Sequence, residues 1–118
     1  MGSDIHALVE CKVNGKWLMV DRCKGMATIR NYARFAALAG PNPKGLPEDL
    51  SDSGMLYAEE WSDDAHSHSF LDLEEASRLF LVTDRAPDKW WKQNPCEYYF
   101  NVADAKSNYH RLVFWFDC

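Results

Sequence analysis

Two histidines one residue apart, His66 and His68 in Asp63-Asp64-Ala65-His66-Ser67-His68-Ser69, form the densest group of chemically competent side chains in this sequence. Asp4-Ile5-His6 repeats the pairing of carboxylate and imidazole near the start. Imidazole changes charge near neutral pH and ligates metals through either nitrogen, and a neighbouring carboxylate can join or orient it. Two chemistries follow. In an extended segment residues two apart project to one side, so His66 and His68 would converge. Asp4 and His6 share a strand face by the same period, and Asp4, His6, His66 and His68 together would ligate a divalent ion. Such an ion lowers the pKa of a bound water and polarises a phosphoryl oxygen, the chemistry of a metal-dependent phosphodiesterase. The second chemistry needs no metal. The His-Ser-His-Ser segment precedes a helix start near Leu73, and Arg30-Asn31 opens another predicted helix. Unpaired N–H groups at such termini, with a guanidinium fork, favour an anion. This makes Arg30, Asn31, His66, Ser67, His68 and Ser69 the candidate ligand-binding residues. The bland alternative has Asn31 and Ser69 as caps and the histidines solvated.

The elements that must hold these residues can be read from local pattern. Ile5 to Lys12 alternates, with Ile5, Ala7 and Val9 on one face and His6, Leu8 and Glu10 on the other. Asn14-Gly15 then supplies a type I′ turn into Trp17–Val20, a β-hairpin. Tyr32, Phe35, Ala36 and Ala39 keep helical spacing up to Gly40-Pro41. From 41 to 64 the prolines, glycines and acidic residues read as a long surface loop, with at most a helical turn around Met55 to Trp61. Asp72-Leu73-Glu74-Glu75 has the form of a capping box, and Leu73, Ala76, Leu79 and Phe80 then line one helix face. A short helix from Pro87 to Pro95 and a strand over Tyr98 to Val102 are also expected. Arg111 to Phe116, apolar and aromatic-rich after its first residue, reads as a central strand covered on both faces. The order predicts a single α+β domain over 1–118: an antiparallel or mixed sheet packed by two or three helices.

The chain has 118 residues, 47% of them hydrophobic, enough for one core. Thirteen Lys and Arg against eighteen Asp and Glu leave a net charge of −5, which disfavours an extended nucleic-acid footprint. A compact acidic protein could dock on a basic surface, although many ordinary domains are equally acidic. Cys11, Cys23, Cys96 and Cys118 form no CxxC pair, so reduced thiols are expected rather than a zinc knuckle. No apolar run is long enough to span a bilayer. Trp90-Trp91 and Tyr98-Tyr99 read as core or interface aromatics rather than base-stacking plates.

The same residues carry a resemblance. Asp4-Ile5-His6-Ala7 with Val9-Glu10, Arg30-Asn31-Tyr32 with Phe35-Ala36 and Leu38-Ala39-Gly40, Gly45-Leu46-Pro47, His66-Ser67-His68-Ser69 with Leu71, and Val113-Phe114-Trp115-Phe116-Asp117 resemble, in order and over nearly the whole chain, a family of small phage and prophage proteins. That family usually carries a longer Gly-rich insertion where only Pro41-Asn42-Pro43-Lys44 stands here, and an Asn where the chain has Cys118. The resemblance implies a phage-encoded accessory protein in a bacterial host cytoplasm, of the kind that counters host defence. Three modes stay open: binding a host defence component or an anionic, nucleotide-type ligand; hydrolysing such a ligand with a divalent metal; or meeting, through the acidic stretch from Glu48 to Asp64, the basic nucleic-acid channel of a CRISPR-type complex. A cofactor is either absent or a divalent metal, binding is favoured over catalysis, and a homo-oligomer is left open.

Overall fold

A computed structural model describes residues 4–23, 32–61, 63–82 and 110–117. Its order is β1 (Asp4–Val13), β2 (Lys16–Asp21), α1 (Tyr32–Ala39), α2 (Asp52–Glu59), β3 (His66–Asp72), α3 (Leu73–Val82) and β4 (His110–Asp117). The four strands form one antiparallel sheet in the order β2-β1-β4-β3, so the fold is α+β as the sequence predicts. The expected helix over Pro87–Pro95, the strand over Tyr98–Val102, and Arg30, Asn31 and the Trp90-Trp91 and Tyr98-Tyr99 pairs lie outside the described residues. None of the described helices is long and apolar enough to cross a membrane.

The hairpin forms because Asn14 and Gly15 take the positive φ values, 52° and 80°, that a type I′ turn needs. β1 and β4 occupy the middle of the sheet, so every residue from Ile5 to Glu10 and from Arg111 to Phe116 is buried. This explains the unbroken hydrophobicity of β4. On one face Ile5, Ala7, Val9, Leu112, Phe114 and Phe116 pack against Phe35 and Leu38 of α1 and Ala76 of α3. Cys23 is buried in the same core and is disulfide-bonded, which corrects the expectation of reduced thiols at that position; Cys11 is free. α1 ends at Gly40, whose N–H bonds to the Ala36 carbonyl at 2.9 Å. α3 starts where expected, with the Glu75 N–H donating to Asp72 Oδ1 at 2.8 Å. Ala76 is buried and Leu79 packs on this core.

The second face corrects the long-loop reading of 41–64. Leu8, Val113 and Trp115 are covered there by Leu50, Tyr57 and Ala58, so Asp52–Glu59 is a core-forming helix. Ser51 caps it, accepting from the Gly54 N–H at 3.0 Å, with Asp52 favourably placed in the first turn. Gly54 disguises the helix in sequence because it is a weak helix former. It is required by packing: a Cβ there would come within 2.9 Å of both Leu50 Cδ1 and Ser51 Oγ. The stretch before α2 is tied down along the edge of β3, with Gly45 N–H donating to the His68 carbonyl at 2.8 Å and Lys44 N–H to Ser69 Oγ at 3.2 Å.

Candidate functional site

The register places β1 and β4 residues side by side, so the second face carries Asp4, His6, Leu8 and Glu10 of β1 beside Asp117, Trp115, Val113 and Arg111 of β4. At one end of this face four rings form a row. His6 is buried and stacks on Trp61 with centroids 3.9 Å apart and planes 24° from parallel. Trp115 lies beside His6 at 6.4 Å, and His68 beside Trp115 at 5.9 Å. His6 Nε2 meets Asp117 Oδ2 at 3.1 Å, a contact spanning the two ends of the sequence. Burial, reinforced by the nearby His66, holds His68 below the usual imidazole value, so it is neutral at pH 7.

His66 and His68 do not act as a pair. The ladder shifts between His66 and Ser69, and Ser67 takes φ 56°. An extra residue in the strand turns the residues around it to different sides. His66 therefore stands opposite Phe116, its ring 6.2 Å away, whereas His68 reaches Trp115 on the other face. A plain strand would have put both on one side, and the bulge removes that convergence. Among the described residues no group of three His, Cys, Asp or Glu side chains is placed to hold a metal ion, so Asp4, His6, His66 and His68 do not assemble into the expected ligand set. The anion reading also loses its seat at α3. His66 to Ser69 lie in β3, and His68 precedes Leu73 by five strand positions, roughly 16 Å of extended chain. The α3 terminus carries its own anions instead, Asp72 as cap and Glu74 and Glu75 in the first turn. Nor does Ser69 cap a turn: it is buried and accepts from Lys44.

At the other end of the same face sits an ion cluster of Glu10, Arg111 and Asp49. Glu10 is wholly buried, and Oε1 accepts from Arg111 Nε and Nη2, both at 2.7 Å. Its Oε2 accepts from the Ser51 N–H at 2.8 Å, so the strand glutamate anchors the cap of α2. Arg111 Nη1 donates to Asp49 Oδ1 at 2.8 Å, and the guanidinium lies over the Trp17 ring, 4.0 Å from its centroid. The hydrogen bond from Arg111 holds the Asp49 carboxyl below its ordinary value. The available signal was a charge set beside the apolar stretch of each central strand, Glu10 after Ala7–Val9 and Arg111 before Leu112–Phe116. Trp61, Trp115 and Asp117 carried no comparable local mark.

Between these ends α2 faces outward. Gly54, Tyr57 and Ala58 point into the core while Asp52, Ser53, Met55, Leu56, Glu59 and Glu60 are exposed. Met55 and Leu56 are 45% and 64% exposed, an apolar step flanked by carboxylates. From Glu48 to Asp64 the chain holds seven of its eighteen acidic residues and no lysine or arginine. No known protein family, curated protein or solved structure matches this chain.

Proposed function

We propose that this chain is a phage-encoded accessory protein that counters a host defence by binding a basic protein surface, with α2 and its flanks as the contact. The observation that carries this reading is the outward side of α2, where exposed Met55 and Leu56 are bracketed by Asp52, Glu59 and Glu60, with Asp63 and Asp64 beyond. Interfaces commonly combine an apolar centre with a polar rim, and complementary potentials steer partners together. The net charge of −5 supports the same direction. A surface rich in carboxylates competes with phosphate for a positively charged channel, so the partner class is a nucleic-acid-binding defence complex of the host, as the phage-protein resemblance suggests.

The imidazole and indole row has a different part in this reading. Trp61 follows α2 directly and stacks on His6, so the row fixes the far end of the helix to the sheet. Glu10 fixes the near end through Ser51. The test combines phage plating on a restricting host with displacement of DNA from the purified defence complex. The wild type restores plating and displaces DNA; Asp52→Lys/Glu59→Lys/Asp63→Lys does neither, while His66→Ala retains both. Full activity in the charge-reversed protein, verified as folded, overturns the proposal.

A further inference from the structure

A cleft of about 590 Å³ opens between the β1–β2 hairpin and the first turn of α2, lined by Lys16, Trp17, Met19, Asp49, Leu50 and Asp52 among others. It is continuous with the acidic helix face, because Asp52 belongs to both. We propose that this cleft seats an arginine side chain projecting from the basic partner surface, an inference that rests on the binding role argued above.

The molecule already holds one guanidinium with two of these residues. Arg111 lies 4.0 Å from the Trp17 ring centroid and donates to Asp49 Oδ1 at 2.8 Å. Trp17 also lines the cleft, and Asp49 keeps 65% of its side chain exposed there, so both remain available from the solvent side. Asp52 adds a second carboxylate. A planar, weakly hydrated guanidinium stacks on indole and bridges carboxylates, whereas an ammonium is compact and strongly hydrated. The apolar lining from Met19 and Leu50 suits the methylene stem that carries the charge. Lys16 at the rim and Lys12, with Nζ 5.7 Å from the Trp17 centroid, are the competing cations. A partner arginine therefore enters guanidinium first, towards Asp49, Asp52 and the Trp17 ring, with its stem along Met19 and Leu50.

The test is an NMR titration of the intact chain with N-acetyl-arginine amide, with the lysine and glutamate analogues as comparison probes. The Trp17 indole N–H, assigned through Trp17→Phe, shifts saturably with the arginine probe, less with lysine and not with glutamate. Asp52→Asn weakens the arginine response about two- to fivefold, the range for an exposed ion pair. Glu74→Gln on α3 leaves it unchanged. An unmoved Trp17 signal, an equal response to all three probes, or an unaltered affinity in Asp52→Asn overturns the cleft assignment. The outcomes separate from those above: charge reversal that abolishes DNA displacement while arginine fails to bind removes only the cleft. Arginine binding with displacement intact after charge reversal removes the functional reading and leaves the cleft.

Discussion

Replacing Arg111 by Met should destabilise the fold by about 3–5 kcal/mol, the cost of leaving one partner of a buried pair uncompensated. The side chains of Arg111 and Glu10 are 7% and 0% exposed, and the closest N–O distance is 2.7 Å. At an effective dielectric of about 20 their attraction is roughly 6 kcal/mol before desolvation, which costs several kcal/mol per ion. The intact pair is therefore close to break-even against an apolar pair, and its removal in halves is what costs. Met preserves most of the packing against Trp17 and Phe70 but leaves Glu10 with the Ser51 N–H as its one hydrogen bond of those described above. Glu10→Gln/Arg111→Met should recover much of the loss, because a neutral amide oxygen still accepts from Ser51 without a buried charge. Urea unfolding followed by tryptophan fluorescence and far-UV circular dichroism measures all three proteins. A single variant within about 1 kcal/mol of wild type, or a double variant no more stable than Arg111→Met, would refute the buried-pair argument.

Three other outcomes are expected. Ser51→Ala should cost about 0.5–2 kcal/mol by removing the cap of α2, with the loss read in urea unfolding. Ser67 occupies the left-handed region at φ 56°, so Ser67→Gly should match or exceed the stability of wild type while Ser67→Val loses about 1–2 kcal/mol; equal behaviour would mean that the bulge is not held at this residue. His68 titrates below the ordinary imidazole value of 6.5 because of burial and then His66. The unfolded chain takes up this proton first, so the contribution of His68 is fully present above pH 6.5 and is lost as pH falls through the depressed folded value. The NMR midpoint of His68 should lie below 6.5 and move upward in His66→Ala.

The hairpin, α1, the start of α3 and the central strand β4 were legible because each is written in neighbouring residues: Asn14-Gly15, the Tyr32–Ala39 spacing, the Asp72–Glu75 box and the apolar, aromatic-rich Leu112–Phe116 run. Both faces of β1 were also readable from alternation alone. α2 was hidden by its own packing requirement, since Gly54 and the prolines before it mimic a loop. The candidate site was less legible still. Alternation predicted that His66 and His68 share a side, and a single residue with positive φ reversed that. The α3 terminus was likewise a poor seat for an anion once the Asp72–Glu75 box is given its weight, and the structure places His66 to Ser69 in β3, away from it.

What the local pattern determined, then, is which residues become strand and helix and which faces are apolar. Only the tertiary structure decided their partners. His6 meets Asp117 across 111 positions and Glu10 meets Arg111 across 101, pairings set by the register of β1 against β4. Register is a collective choice made when both sheet faces are buried, because a slip of one residue would move every side chain of a strand to the opposite core and break both packings at once. The same burial closes the polar residues of the sheet into internal pairs and leaves the carboxylates of α2 facing outward.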